Sequence, residues 1–137
     1  MVIKLVAARS AEDFGAAVLR ARAAKAPRLD TTRLFRAMAG SEEMALVVLD
    51  VHPGERCSIL YELFLCTERR NRGVGSKVLA AIEAFVVASG QECLEVWPRT
   101  LDVRSRSDAQ LEGWYRRHGF VSAKTGSPRL VKKVIPG

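Results

Sequence analysis

A glycine-bearing loop set between an apolar strand-like run and an amphipathic helix constrains this chain more than any other feature. Residues 57–66 are apolar and strand-like, and the pattern then changes abruptly to Thr-Glu-Arg-Arg-Asn-Arg-Gly-Val-Gly-Ser, ending at Ser76. Beyond it, Val78, Leu79, Ile82, Phe85 and Val86 share one helical face, and Gly90 closes the helix. Residues 94–97 read as another short strand, stopped by Pro98. A strand, a helix and a strand in this order require a crossover helix packed on a sheet. The chain is therefore of the α/β or α+β class.

The flanking pattern is mixed. Residues 2–7 read as a strand. Ser10-Ala-Glu-Asp13 resembles a capping box and opens a helix carrying Phe14, Ala17, Val18 and Ala21, ended by Pro27. A second short helix is predicted from about Thr32, with Leu34, Phe35 and Met38 on one side and Gly40 as its stop. Residues 44–51 and 57–66 form a β-hairpin around His52-Pro-Gly-Glu55. Ser107-Asp-Ala-Gln110 matches a capping box, and the helix it opens carries Leu111, Trp114, Tyr115 and His118 before Gly119. Residues 120–124 and 130–135 read as two last strands joined by a Gly-Ser-Pro turn.

With 137 residues the chain has the length of one domain, and neither repeats nor a linker divide it. At 48% hydrophobic and 27% charged residues it is an ordinary globular composition, which excludes a disordered chain. No apolar run reaches the ~18 residues of a membrane span, and the start lacks a signal-peptide layout, so no membrane partner is expected. Cys57, Cys66 and Cys93 are an odd number at wide spacing, which argues against a disulfide framework and for a reducing, cytoplasmic home. With His52 and His118 they give no zinc-ligand spacing, so no metal is expected. The net charge of +7 is unevenly placed. Residues 1–98 hold 13 basic and 12 acidic side chains, whereas 99–137 hold 9 and 3. That excess suits a polyanionic small molecule, an acidic protein surface or nucleic acid.

The loop is where this charge becomes chemistry. Backbone N–H groups at the start of a helix lack intrahelical acceptors, and the positive end of the helix dipole lies behind them. Gly73 and Gly75 permit positive φ and close approach of a ligand, and Arg70, Arg72 and Lys77 add charge. Such a loop is a pyrophosphate cradle. It is not a P-loop, which needs an upstream glycine before Gly-Lys-Ser/Thr. It is not a dinucleotide fingerprint either, since Val78 stands where a third glycine is required.

Leu63-Phe-Leu-Cys-Thr-Glu-Arg-Arg70-Asn-Arg-Gly73-Val-Gly75 resembles the acetyl-CoA-binding motif of the GCN5-related N-acetyltransferases, Arg/Gln-x-x-Gly-x-Gly/Ala. Trp114-Tyr115-Arg-Arg-His-Gly119-Phe120 is similar to the Leu-Tyr-x-x-x-Gly-Phe of the same family. The resemblance implies a single domain with a mixed, mostly antiparallel central sheet flanked by helices, in which residues 59–66 and 94–97 splay apart to admit the cofactor. It implies transfer of an acetyl group from acetyl-CoA to a primary amine by direct attack, with CoA as product. The backbone of Leu63, Phe64 and Leu65 would pair with the pantetheine arm. A strand N–H near Phe64 or Leu65 would polarise the thioester carbonyl, and Arg70, Asn71, Arg72, Gly73, Val74, Gly75 and Ser76 would hold the pyrophosphate.

Tyr115 matches the family's general acid. Glu95, in Leu94-Glu-Val96, resembles the base of the ribosomal-protein alanine acetyltransferases, and Glu62 competes with it, as does ordered water. Three departures stand out. Asp108 occupies a place where relatives often carry a cofactor-contacting asparagine, and reads instead as a helix cap. The basic stretch 98–107 lengthens the distance between Glu95 and Tyr115. The half before the loop reads as one strand short. A protein N-terminus, a lysine, an aminoacyl-tRNA, an antibiotic or an amino acid all remain compatible as acceptor; a polyamine is disfavoured by like charge. A homodimer is common among relatives. Two other readings stay open: an acyl-CoA-binding regulatory module without catalysis, and a small basic nucleic-acid-binding protein. Only 7% of residues are aromatic and no stacking platform emerges, which weakens the last.

Overall fold

The computed structural model describes residues 2–26, 29–52, 54–66, 73–99 and 107–135. Along the chain run β1 (Ile3–Ala8), a 3₁₀ turn (Ala11–Asp13), α1 (Ala17–Ala23), β2 (Thr32–Ala39), β3 (Glu42–Asp50), β4 (Cys57–Leu65), α2 (Val74–Ala88), β5 (Cys93–Val96), α3 (Asp108–Arg117), β6 (Val121–Ser122) and β7 (Leu130–Lys133). The strands form one sheet in the order β1-β2-β3-β4-β5-β7-β6. All neighbours are antiparallel except β4 and β5, which the α2 crossover makes parallel. This is the mixed, mostly antiparallel sheet that the resemblance implies.

Alternation along the strands divides the core between two faces. Phe35, Val47, Leu49, Leu60, Leu94, Val96 and Leu130 pack with Val78, Leu79, Ile82 and Val86 of α2 and Tyr115 of α3. On the other face Leu34, Leu46 and Val48 pack with Phe14 and with Leu19 and Ala23 of α1. The central strand β3 is buried on both sides, from Met44 through Asp50.

Three expectations are corrected. The segment from Thr32 is strand β2, not a second helix. Leu34 faces α1 while Phe35 and Ala37 face α2, so a strand buried on both faces presents apolar residues at spacings that mimic a helix. Gly40, at φ +60°, lies in the two-residue turn that joins β2 to β3. The half before the loop is therefore not one strand short, because β2 supplies that strand. The first helix is split as well: Glu43 of β3 accepts from the N–H groups of Gly15 (3.0 Å) and Ala16 (2.8 Å), so α1 starts at Ala17. Burial opposes the charge on Glu43, but these two amides and Arg36 (2.7 Å) outweigh it and hold the carboxyl below its ordinary range.

The third correction concerns the cysteines. Cys57 and Cys93 are joined by a disulfide, their Cα atoms 4.5 Å apart at the first register position of the β4–β5 pair. Cys66, the third cysteine, is buried, and its Sγ lies 3.8 Å from the Glu43 carbonyl oxygen.

Candidate active site

The site begins where β4 and β5 part. Their ladder runs from Cys57↔Cys93 to Leu60↔Val96, whereas β4 continues beside β3 as far as Leu65↔Ala45. Pro98, two residues beyond β5, has no N–H to extend the pairing. Beyond Leu60 and Val96 the two strands expected to splay no longer pair with each other, which makes this junction a wedge on the β5 side of β4 among the described residues.

A bulge marks the opening. Leu49 pairs with Leu60 and Val48 with Glu62, leaving Tyr61 as an extra residue on β4. Since side chains alternate with a period of two, one inserted residue turns everything beyond it to the other face. Leu60 lies in the core beneath α2, but Glu62 faces α1. There the Arg22 Nε donates to Glu62 Oε2 at 2.7 Å, and the Arg22 guanidinium lies 5.7 Å from the centre of the Phe64 ring. Burial pushes the Glu62 carboxyl up, more strongly than Arg22 pulls it down.

Glu95 stands between Leu94 and Val96, which are both in the core beneath α2, so it points to the same face as Glu62. Its Oε2 lies 3.6 Å from Arg129 Nη1. Nearby, the buried Asp50 accepts from the hydroxyl of Thr31 and, at 3.4 Å, from that of Tyr61, and lies 2.7 Å from His52 Nε2. Burial, together with Asp50, pushes the Tyr61 phenol up. Arg22, Arg129 and this Asp50 cluster carry no periodic or motif signal in the sequence; only the register brings them to the two glutamates.

On the α2 side of the sheet lies the loop expected to cradle a pyrophosphate. Leu63 and Leu65 pack beneath α2, with Phe64 on the α1 face. Arg70, Asn71 and Arg72 lie outside the described residues, as do residues 100–106 of the basic stretch. Gly73 is the N-cap of α2 at φ +74°, with no atom of the described residues within 4 Å of where a Cβ would stand. Val74, Gly75 and Ser76 form the first turn, and the Lys77 N–H returns to the Gly73 carbonyl at 3.4 Å. No acidic side chain lies in that turn.

Gly75, unlike Gly73, is not at positive φ. It is helical and buried, and a Cβ there would sit 3.1 Å from Trp114 Cζ2 and 3.4 Å from Leu65 Cδ1. Its smallness lets α3 lean on the start of α2. Alanine gains about 1 kcal/mol of helix propensity against this crowding, but valine adds two branches that press further on both neighbours. Gly75→Val is expected to lower stability by about 1–3 kcal/mol, read as a fall in the denaturant midpoint.

Ser107 caps α3, accepting from the Gln110 N–H at 3.1 Å while Gln110 Oε1 accepts from the Ser107 N–H at 2.7 Å. Asp108 is therefore the first helical residue and not the cap. Further along the helix, Tyr115 is 4% exposed and fixed edge-on between Trp114 (4.9 Å) and Phe120 (5.3 Å). Tyr115 thus lies on the α2 side of the sheet, and Glu62 and Glu95 on the other, with the wedge between.

Among the described residues no group of three or more histidine, cysteine or acidic side chains is placed to hold a metal. No described helix is long and apolar enough to cross a membrane.

A profile of the acetyltransferase (GNAT) domain matches residues 30–122. The fold resembles an acetyltransferase from Thermus thermophilus, with a TM-score of 0.66 and 15% identity, covering 97% of each chain. It also resembles a GNAT family acetyltransferase from Elizabethkingia anophelis solved with acetyl-CoA bound, with a TM-score of 0.62 and 14% identity over 96% of this chain and 97% of that one. A third likeness is to the KacTA–DNA complex, with a TM-score of 0.67 and 15% identity over 96% and 93% of the two chains. No curated protein sequence matches significantly. The profile spans most of the chain, including the wedge, the cradle and Tyr115, and the sheet order agrees with it: the chain belongs to the GNAT acetyltransferase domain family.

Proposed function

We propose that this domain transfers an acetyl group from acetyl-CoA to a primary amine by direct attack. The observation that carries the reading is the wedge between β4 and β5, which leads to a helix N-terminus capped by a glycine at positive φ, with no acidic side chain in its first turn. An anion is favoured there by unpaired N–H groups and by the helix dipole. The N–H groups of Val74, Gly75 and Ser76, with Gly73 at the cap, would hold the pyrophosphate, and the loop before them carries Arg70 and Arg72. The pantetheine arm would run beside β4 at Leu63, where β5 no longer flanks the strand.

Acetyl-CoA supplies an activated thioester; the chain's residues supply proton transfer and position. Glu62 or Glu95 takes a proton from the acceptor ammonium on the α1 side of the wedge. Tyr115 gives one to the departing thiolate from the α2 side. Having acid and base on opposite faces lets attack and departure occur without either group crossing the bound cofactor. The pushed-up carboxyl of Glu62 favours it as base, since a general base works best when its proton affinity lies near the operating pH. The acceptor is an amine on a small molecule or a protein.

Calorimetric titration with acetyl-CoA and with CoA tests the reading. The wild type is expected to bind both, and a Gly73 pair isolates the charge. Gly73→Gln and Gly73→Glu carry the same backbone strain at positive φ, but only the second places a carboxylate in the cradle. Gly73→Glu is expected to abolish binding that Gly73→Gln retains in weakened form. No binding by the folded wild type overturns the proposal.

A further inference from the structure

Two hydrogen bonds tie the end of α3 to the first turn of α2. His118, the C-cap of α3, has Nδ1 2.7 Å from the Trp114 carbonyl oxygen and Nε2 2.8 Å from the Ser76 hydroxyl. The rings of His118 and Trp114 lie 4.2 Å apart, and Trp114 is the side chain seated on Gly75. A carbonyl only accepts, so Nδ1 carries a proton whether the ring is neutral or charged. Nε2 is the atom whose state varies.

That variation decides what Ser76 offers. Opposite a neutral ring, Nε2 accepts and the hydroxyl spends its single proton on it, so only lone pairs face outward. Opposite an imidazolium, Nε2 donates to Ser76 Oγ, and the O–H is released to donate elsewhere. Ser76 is exposed and is the third residue of α2. A phosphate oxygen at this helix end meets lone pairs in the first state and a hydrogen-bond donor in the second, with the positive ring behind it.

We infer that His118 is a positioning residue for the cofactor: it sets the direction of the Ser76 hydroxyl, so that binding a pyrophosphate takes up a proton at Nε2. This rests on the acetyl-CoA reading above. The proton comes from solvent and stays on Nε2 in the complex; no covalent bond changes. The charged residues on the elements that carry or adjoin this pair are Lys77 and Glu83 on α2, Glu112, Arg116 and Arg117 on α3, and Lys132 on β7, whose side chain reaches the neighbouring Gly119. Glu112 pairs with Arg116, and Glu83 with Lys132, each at 3.0 Å. None of these charges hydrogen-bonds the imidazole among the described residues.

The test is calorimetric titration with 3′-dephospho-CoA, which keeps the pyrophosphate and lacks the titrating 3′-phosphate. Measuring in two buffers of different ionisation enthalpy gives the protons taken up. The wild type is expected to take up a fraction of a proton near neutral pH and to bind roughly tenfold more tightly at pH 6 than at pH 8, the effect of one charge-assisted hydrogen bond. His118→Asn and Ser76→Ala are each expected to lose the uptake and to flatten that dependence to less than about twofold. Ser76→Ala, at an exposed position, carries the test alone should His118→Asn fail to fold. Binding with the same uptake in wild type and variants, or with none in any, overturns the inference and leaves the acetyl-CoA reading standing. No binding by the wild type at either pH overturns both.

Discussion

Replacing Tyr115 by Phe is expected to lower turnover by about 10²–10⁴-fold while leaving acetyl-CoA binding within severalfold of the wild type. The ring is held edge-on by Trp114 and Phe120, and both contacts survive loss of the hydroxyl. The substitution therefore removes the proposed proton donor and keeps the packing of the ring. A loss shared equally by kcat and kcat/KM, with binding intact, identifies an interaction made only as the thiolate departs. Turnover unchanged in Tyr115→Phe removes Tyr115 from the mechanism. Binding without turnover in the wild type, across a panel of amines, favours the regulatory acyl-CoA module instead. The same kinetics separate the two glutamates. Glu62 works as a base only when ionised, and burial pushes its carboxyl up, so activity is expected to rise with pH through a limb above the ordinary carboxylate range. Glu62→Gln abolishes that limb if Glu62 is the base; if Glu95→Gln alone abolishes activity, the base is Glu95.

What the sequence discloses and what it withholds divide along a physical line. Features set by local chemistry are legible: the glycine that caps α2, the Ser107–Gln110 box that opens α3, and the periodic face of α2. Each is decided within a few residues of chain. Features set by pairing are not. The strand β2 carries apolar residues on both faces because it is covered on both, and that burial is a property of the sheet. The extra residue at Tyr61 is visible only against β3, although it decides that Glu62 meets Arg22. Gly75 shows the same limit within a motif that the sequence does display. Its place in the loop is legible, but its close contact with Trp114 depends on where a side chain 39 residues later arrives.

Breaking the Cys57–Cys93 bond is expected to lower the unfolding free energy by about 2–4 kcal/mol. The two cysteines are 36 residues apart in sequence, and closing a loop of that length restricts the unfolded chain by about 4 kcal/mol on the chain-entropy account. The bond also sits at the closed end of the wedge. Only four residues of β4 pair with β5, and they are held further by Ser58 donating to Gln91 (2.9 Å) and by the Glu92 N–H donating to the Arg56 carbonyl (2.8 Å). Cysteine count could not disclose the pair, because the partners meet through strand register. Denaturant melts with and without reductant measure the effect, and Cys57→Ala/Cys93→Ala should melt with the reduced protein under both conditions. Thiol titration of the denatured, unreduced chain should find one reactive thiol, that of Cys66. Three would remove the disulfide from the fold in solution and return the chain to the all-thiol state of a reducing compartment. The parallel pairing of β4 and β5, secured by α2 and the core beneath it, would then have to hold the wedge closed at its base alone.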